Sequence, residues 1–398
     1  MVKPFAVNIP DQIIKDIYDK IKKYPWHEMP KDIPGKDGGW HYGTDLDYMK
    51  KISNYWVNKF DWRKQEAKIN KYSNFITTVD KIGMPIGFKQ EIDIHFIHEK
   101  GSGSNPKPLL ITHGWPGSIV EFLDIIEKLS HPERFGGKEE DAFDVIVPSL
   151  PGYGFSSRPQ SPMGPRKIAD ILNRLMTKNL GYKNYLSQGG DWGATITNWL
   201  GRDHSKTCNA IHINCLTMRD PNGPQTQEEK DWQTRFIHHQ HSQDGYRTQQ
   251  TTKPQTLSYG MMDSPVGIAA WILEKFYFWS DIKNNDIESV YSKDILLTNI
   301  MIYIVTKTFN TASWIYWGRR IEGGRNFPGN FHRIEVPTAV AVFPREMSEW
   351  PPRSYVDRLF NVKRWTKMPK GGHFAALEQP DLLVNDIRAF ARTIALDQ

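Results

Sequence analysis

The segment Leu186-Ser187-Gln188-Gly189-Gly190-Asp191-Trp192-Gly193-Ala194 runs from a short strand-like stretch through a glycine-rich turn into the start of a helix. Small residues flank Asp191 with the spacing of a nucleophile elbow, a tight turn that lifts one side chain above a sheet. The amides at a helix start favour a negative charge, so the Asp191 carboxylate is expected to stay ionised. Taken alone, the segment is equally consistent with an aspartate that caps a helix in a glycine turn.

Strands and helices alternate on both sides of this turn. Apolar runs predict buried strands at Pro108–Thr112, Phe143–Pro148, Tyr185–Ser187, Ala210–Cys215 and Thr338–Phe343. Helical spacing of apolar residues is found at Ile119–Leu129, at Ile168–Asn179, after Asp191 and at Leu382–Ile394. This alternation predicts an α/β protein with a mostly parallel sheet covered by helices on both faces.

Two segments depart from the alternation. Between about residues 220 and 330 the strand signals vanish and aromatic-rich amphipathic helices replace them. This pattern predicts a helical cap inserted over the carboxyl ends of the strands, where open α/β sheets bind their ligands. Nearer the amino terminus, Ile92–His98 alternates like a strand, and the turn residues of Gly101–Pro106 predict a hairpin tip within the sheet.

Composition and charge exclude several classes of protein. With 39% hydrophobic and 24% charged residues among 398, the chain is neither disordered nor fibrous. The net charge of +6 is spread along the chain, which argues against a nucleic-acid-binding protein. Cys208 and Cys215 are too few for a disulfide framework or a zinc site and fit buried strand thiols in a reducing compartment. No secretory signal or membrane-spanning run is visible, so we expect a soluble, cytoplasmic protein.

An aspartate at the elbow selects the type of reaction. A serine that opens a saturated carbon centre would form an ether, which water cannot cleave. A carboxylate forms an ester instead, and water can hydrolyse that ester in a second step. Asp191 therefore indicates substitution at an epoxide or at an alkyl halide. The absence of a Gly-X-Ser-X-Gly motif from the chain argues against an ordinary esterase.

The segment His113-Gly114-Trp115-Pro116-Gly117-Ser118 directly follows a predicted strand. In the α/β-hydrolase plan this loop supplies one amide of the oxyanion hole, and the residue after the nucleophile supplies the other. Here the two donors would be the backbone N–H groups of Trp115 and Trp192. By itself the segment is also an ordinary glycine-proline turn.

The base is expected late in the chain, with its acidic partner before it. His373 lies in the glycine turn Gly371-Gly372-His373-Phe374, just before the last predicted helix, and Glu346 follows the Thr338–Phe343 strand. The order Asp191, Glu346, His373 is the nucleophile-acid-base order of the α/β-hydrolase plan. Glu349 and Asp357 remain the nearest rivals to Glu346.

An epoxide also requires an acid, because the departing alkoxide is a poor leaving group. Tyrosine phenols directed from the cap would serve this purpose. An alkyl halide needs no proton and would be served by tryptophan N–H groups directed at the halide.

Taken together, these motifs resemble the epoxide hydrolases of the microsomal type, including their soluble fungal relatives. The resemblance covers nearly the whole chain and is most specific in the combination of His113–Ser118 with Gly189–Gly193. It implies the α/β-hydrolase fold, with an N-terminal meander over residues 1–90 that embraces core and cap. The core is then expected at residues 91–219 and 331–398, with the cap at 220–330.

The resemblance further implies the roles of single residues. The cap segments around Gly245-Tyr246 and Ser313-Trp314-Ile315-Tyr316 match those bearing the two ring-opening tyrosines, so Tyr246 and Tyr316 are expected to protonate the oxygen. Glu346 and His373 match the charge-relay acid and base. The stretch Asp80–Phe88 has the character of an insertion relative to the family.

The implied reaction converts a small-molecule apolar epoxide and water into a vicinal diol through an ester on Asp191, without a metal or an organic cofactor. The family's hydrophobic amino-terminal anchor is absent, so no membrane attachment is implied, and a homodimer is left open. Two alternatives stay open here: a haloalkane dehalogenase, against which the paired tyrosines argue, and a non-catalytic ligand-binding homologue.

Overall fold

A nine-stranded sheet organises the chain in the computed structural model, which describes residues 1–31, 38–83, 89–328 and 332–394. The strands are β1 (Lys3–Pro4), β2 (Asn74–Gly83), β3 (Lys89–Glu99), β4 (Lys107–Thr112), β5 (Phe143–Pro148), β6 (Tyr185–Gly189), β7 (Cys208–Ile213), β8 (Ile334–Val342) and β9 (Phe360–Lys367). They are ordered β1-β2-β3-β5-β4-β6-β7-β8-β9. Pairing is antiparallel from β1 through β3 to β5 and parallel from β5 to β9.

Fifteen α-helices connect and cover these strands in the described residues. They are α1 (Asp11–Lys22), α2 (Leu46–Asn58), α3 (Trp62–Asn70), α4 (Leu123–Ser130), α5 (Pro165–Arg174), α6 (Asp191–Asp203), α7 (Gln227–Gln243), α8 (Gly245–Thr252), α9 (Pro254–Met261), α10 (Pro265–Phe278), α11 (Lys293–Val305), α12 (Phe309–Ile321), α13 (Arg353–Leu359), α14 (Ala375–Glu378) and α15 (Pro380–Ala391). The central strands β4, β5, β6 and β7 are almost completely buried, as expected of strands covered on both faces.

The predicted strands and helices of the core are confirmed, with small changes at their ends. The helix expected at Ile119–Leu129 begins as a 3₁₀ turn, Ile119–Phe122, and continues as α4. The one expected at Ile168–Asn179 is α5 followed by a π-helical turn. Cys208 and Cys215 are free and buried, as predicted. The α/β-hydrolase fold predicted from the motif order is therefore present.

The hairpin predicted at Gly101–Pro106 is wrong. Strand β5 lies between β3 and β4, so the loop connects two strands that are not neighbours. It passes the start of β5, where the Gly101 N–H donates to Asp144 Oδ1 at 2.9 Å. Turn residues indicate where a chain reverses or bends, but they do not determine which strands pair afterwards.

The helices α7 to α12 lie between β7 and β8, where the sequence predicts the cap. The amino-terminal helices contact them: the ring of Trp40 stacks on that of Tyr277 at 4.1 Å, and the Tyr55 hydroxyl donates to Asp294 at 2.8 Å. The proposed division into meander, core and cap agrees with this order and stays a prediction. Of the stretch Asp80–Phe88, residues 84–88 lie outside the described residues.

No helix in the described ranges combines the length and the apolar character that crossing a lipid bilayer requires.

Candidate active site

Asp191 stands at the junction of β6 and α6. Its backbone φ of +48° is a left-handed conformation that residues with side chains seldom adopt. The turn is tight because its glycines leave room. A Cβ on Gly189 would lie 2.2 Å from the carbonyl carbon of Gly193, and a Cβ on Gly193 would lie 1.9 Å from the carbonyl oxygen of Thr112. The geometry is that of the predicted elbow, and 13% of the Asp191 side chain remains exposed.

The loop after β4 supplies one amide donor to this carboxylate. The Trp115 N–H donates to Asp191 Oδ1 at 2.8 Å. Gly114 is required beside it, because a Cβ there would lie 2.1 Å from the same oxygen. Trp192, the second expected donor, is the second residue of α6, and its N–H forms no hydrogen bond to Asp191 in the described structure. Its role in an oxyanion hole stays a prediction.

His373 lies between two carboxylates. Its Nδ1 is 2.6 Å from Glu346 Oε1, and its Nε2 is 3.5 Å from Asp191 Oδ2. The His373 and Glu346 side chains are each only 2% exposed. Glu346 Oε1 also accepts a hydrogen bond from the Met347 N–H at 2.9 Å, which fixes the carboxylate. The structure thus brings together the three residues that the sequence singles out as nucleophile, base and acid.

The rivals to Glu346 face elsewhere. Glu349 pairs with Arg235 at the surface, with an oxygen-to-nitrogen distance of 2.7 Å. Asp357 pairs with Arg353 one helical turn away, at 3.3 Å. Both carboxylates are more than two-fifths exposed, so neither has the position of an orienting acid for His373.

Opposing influences act on the protonation of His373. Burial by itself lowers the pKa of the imidazole, but the charge of Glu346 and the hydrogen bonds to Asp191, Cys215 and Glu346 raise it. The result is a pKa well above the usual value for histidine. The resting site therefore favours an imidazolium at His373, next to the carboxyl group of Asp191.

Tyr246 and Tyr316 approach the same site from the cap. Tyr246, on α8, stacks on the Trp115 ring with centroids 5.2 Å apart, and Tyr316, on α12, meets the Trp192 ring edge-on at 4.7 Å. Both tyrosines are buried. Burial, followed by the effect of nearby negative charge, raises the pKa of each phenol above its usual value, so both are protonated at neutral pH.

Two cavities adjoin Asp191. The larger, of about 210 Å³, is lined by Asp191, Trp192, Tyr246 and Tyr316 together with polar residues of the cap and of the neighbouring loops. The smaller, of about 10 Å³, lies among Asp191, His373, Gln188 and Asn214. A space of that size with polar walls accommodates about one water molecule. The site thus offers a chamber for an organic substrate and a separate position for water.

Some residues of this site are missed by the sequence reading. Glu378 accepts hydrogen bonds from the N–H groups of Gly372 and Phe374, at 2.9 and 3.0 Å, and so holds the turn that carries His373. Its position five residues after His373 was a signal in the sequence from which Glu378 could have been identified. Lys275 is buried with its ammonium 4.5 Å from the centre of the Tyr246 ring, and nothing in its helical pattern distinguished it.

One group of possible metal ligands coincides with the site. The ligand atoms of Cys215, Glu346 and His373 all lie within 4.8 Å of one another. An ion between Nδ1 and Oε1 would need a metal–ligand distance of about 2 Å on each side. The 2.6 Å contact of these atoms is a direct hydrogen bond that leaves no such space. Burial also raises the pKa of the Cys215 thiol to about 12, which disfavours the thiolate that binds metals.

Comparison with known proteins gives two family matches. Residues 2–122 match the family described as "Epoxide hydrolase N terminus", and residues 107–267 match the one described as "alpha/beta hydrolase fold". The "Epoxide hydrolase 1" of Sus scrofa is 36% identical over 98% of this chain and 88% of its own length. The "Juvenile hormone epoxide hydrolase 1" of Ctenocephalides felis is 32% identical over 97% of this chain and 84% of its own.

Solved structures agree with these matches. The epoxide hydrolase of Aspergillus niger superposes with a TM-score of 0.83 at 28% identity, covering 99% of this chain and 97% of its own. The juvenile hormone epoxide hydrolase of Bombyx mori gives a TM-score of 0.85 at 26% identity, covering 99% and 94%. Fold, order of elements and full-length similarity point the same way. This chain belongs to the epoxide hydrolases, enzymes of the α/β-hydrolase fold that hydrolyse an epoxide ether bond.

Proposed function

We propose that the chain hydrolyses epoxides to vicinal diols through a covalent ester on Asp191. One observation carries the proposal: a single carboxylate has Oδ1 held by the Trp115 amide and Oδ2 directed at His373, beneath two buried cap phenols. A hydrogen-bond donor for the oxyanion, a base and two acids thus surround one nucleophile, with the phenols on the larger cavity and the base on the smaller one. Family membership favours this reaction over dehalogenation and over non-catalytic binding.

In the first step Asp191 Oδ2 attacks an epoxide carbon in line with the departing oxygen. The carbon–oxygen bond of the ring breaks as the carboxylate–carbon bond forms. Tyr246 and Tyr316 hydrogen-bond the ring oxygen, and one of them transfers its proton to the developing alkoxide. The products are a hydroxyalkyl ester and a phenolate. Oδ1 becomes the carbonyl oxygen of the ester and stays on the Trp115 amide.

In the second step water hydrolyses the ester. The imidazolium of His373 first passes its proton to the phenolate, which restores the tyrosine. The neutral ring then takes a proton at Nε2 from a water in the small cavity, and the hydroxide adds to the ester carbonyl carbon. The Trp115 amide, with that of Trp192 as the expected second donor, stabilises the negative charge on Oδ1. Collapse of the tetrahedral intermediate releases the diol, whose oxygen is reprotonated from His373. The carboxylic acid proton finally returns to His373 and restores the resting imidazolium, so atoms and protons balance.

Ester formation itself changes the state of the base. In the free enzyme the Asp191 carboxylate helps to raise the pKa of His373. Alkylation turns this carboxylate into a neutral ester and removes that influence. The imidazolium then loses its proton more easily to the phenolate of the first step, so the ring becomes a base when the ester needs one. Glu346 remains in contact and keeps the ring oriented.

The walls next to Asp191 support an apolar substrate at the reacting carbon. The rings of Trp115, Trp192, Tyr246 and Tyr316 surround the carboxylate with aromatic surface. We therefore retain the prediction of a small-molecule apolar epoxide for the part of the substrate next to the ring. The cytoplasmic location and the homodimer also stay predictions.

Trapping the ester tests the proposal. His373→Gln should react with a terminal aryl epoxide and accumulate an adduct on Asp191, visible as a mass increase equal to the epoxide. Asp191→Asn should form none, and His131→Gln, a change at a partly exposed histidine, should turn over like the wild type. Failure of His373→Gln to form an adduct while the wild type makes diol would overturn the covalent route.

A further inference from the structure

The larger cavity has a strongly basic wall in addition to its aromatic residues. Four arginines line it: Arg247 from α8, Arg319 and Arg320 from α12, and Arg325 from the turn after α12. The guanidinium of Arg319 lies 5.1 Å from the ring of Trp192, the residue next to Asp191. Because Arg320 is exposed, this wall extends from the interior to the surface.

Most of this positive charge is not neutralised by protein carboxylates. Arg247 is paired with Asp244. Among the described residues, Arg319, Arg320 and Arg325 form no ion pair within 4.0 Å. Asp191 and Asp244 act on Arg319 and Arg325 only through their more distant charges. Arg319 donates to the carbonyl oxygens of Thr217 and Gly324, and Arg325 to Gln240 Oε1. These acceptors satisfy some N–H groups but supply no negative charge.

The positive charges of the arginines also repel one another. Burial and then repulsion by neighbouring arginines lower the pKa of Arg319 well below its usual value and lower that of Arg325. Buried charges without counterions are costly, and proteins seldom keep them unless a partner neutralises them. An anion in the cavity would remove this cost, and the planar guanidinium suits carboxylate oxygens.

We propose that the cluster Arg247, Arg319, Arg320 and Arg325 binds a carboxylate at the far end of the substrate, so that the preferred substrates are epoxy acids. The inference rests on the proposed function, since the epoxide ring must reach Asp191 while the carboxylate meets the arginines. The carbon chain between the two groups then lies against the aromatic wall. Substrates are expected to be amphipathic, with an acidic end and an apolar middle.

A second role of the arginines, an effect on the ring-opening reaction itself, has to be distinguished from binding of the substrate carboxylate. Arg325 and Arg247 both lower the pKa of Tyr246, against the larger effects of burial and of Asp191. Arginines that acted only in this way would promote ring opening for every epoxide, charged or neutral. Arginines that bind the substrate would favour acids selectively. A comparison of matched acid and amide substrates separates these roles.

The experiment uses a series of terminal epoxy-alkanoates of increasing chain length and the primary amides of the same acids. The wild type should prefer one chain length of acid over its amide by at least about tenfold in kcat/KM, since hydrogen bonds to charged groups are worth that much. The preference should appear mainly in KM and weaken with added salt. A neutral aryl epoxide serves as the reference for basal activity.

Arginine variants test which residue causes the preference for acids over amides. Arg325→Gln should lower kcat/KM for the acids at least about tenfold more than for the amides of the same chain length, which removes most of the acid preference. Arg325→Lys, which keeps the charge, should restore part of the preference. Arg134→Gln, at an exposed arginine paired with Glu127, is the control for net charge and should behave as the wild type.

The outcomes are distinct. Equal turnover of acids and amides by the wild type, or of neither while the aryl epoxide is hydrolysed, overturns the acid site and leaves epoxide hydrolysis intact. A parallel loss of acid and amide turnover in Arg325→Gln also overturns it, because the arginine would then act on the reaction. No turnover of any epoxide, with no adduct in His373→Gln, removes the proposed function and the acid site with it.

Discussion

His373 Nδ1 and Glu346 Oε1 are 2.6 Å apart although the two residues leave different strands of the sheet. Glu346 follows β8, and His373 follows β9. Parallel strands end at the same edge of a sheet, so their loops converge there. The same edge carries Asp191 after β6, which places the imidazole between two carboxylates. This convergence determines how protons can move during the reaction.

Glu346→Gln should slow hydrolysis of the ester more than its formation. The amide cannot supply the negative charge that helps to raise the pKa of His373, so the imidazole becomes a weaker base. A loss of about 10²-fold in the hydrolysis rate is expected from the usual contribution of a general base. Stopped-flow tryptophan fluorescence would resolve the two steps. Glu349→Gln, at the surface rival, is the matched control, and an equal effect of both changes would contradict the assignment.

Tyr246→Phe and Tyr316→Phe should each slow alkylation of Asp191, and the double variant should nearly abolish it. Each phenol stabilises the developing alkoxide by a few kcal/mol at most, or about 10²-fold in rate. Burst kinetics with a chromogenic epoxide would measure the alkylation step. Tyr259→Phe changes an exposed tyrosine of the same cap and should have no effect. Wild-type alkylation in the double variant would mean that another acid protonates the oxygen.

Glu121, which lines the small cavity near His373, should make the stability of the fold depend on pH. Burial, opposed by the charge of His373, raises the pKa of this carboxyl from 4.5 to about 8. The folded state therefore binds more protons than the unfolded state between these values, and stability is lost as the pH rises through that window.

Glu121→Gln should remove this loss. Relative to the variant, the free energy of unfolding of the wild type should fall with rising pH by up to about 1.4 kcal/mol per unit. Urea unfolding at a series of pH values between 5 and about 8 measures this difference, because protonation of Glu121 is linked to folding over that range. Glu140→Gln, at an exposed acid, controls for the lost charge. Parallel pH profiles of wild type and Glu121→Gln would contradict the prediction.

The prediction from sequence was most accurate where the reacting residue lies in the same motif that shapes the backbone. Asp191 lies in a turn whose glycines are needed for close backbone contacts, so that motif reveals its position. The separate segment His113–Ser118 pointed to its neighbour Trp115. Glu346 was found from its place after a predicted strand, and His373 from its glycine turn before the last predicted helix. Only the structure distinguished Glu346 from its rivals Glu349 and Asp357, because side chains a few positions apart can face opposite directions.

Features that depend on distant pairing were not predictable in this way. The turn at Gly101–Pro106 was recognised, but β5 inserts between the strands it joins because pairing is decided by the whole sheet. The basic wall is formed by Arg247, Arg319 and Arg325 from separate parts of the cap and the turn after it. No local pattern links them, and only the packing of the cap reveals that their charges face one cavity.

The origin of the oxygen added to the epoxide tests the covalent route most directly. In a single turnover with excess enzyme in water enriched in oxygen-18, the added oxygen should come from Asp191, and the label should enter the carboxylate. The first diol should therefore be unlabelled, and mass spectrometry of the peptide containing Asp191 should show the heavy isotope. A first diol that carries the label, with an unlabelled Asp191, would mean that water attacks the epoxide directly and would contradict the account.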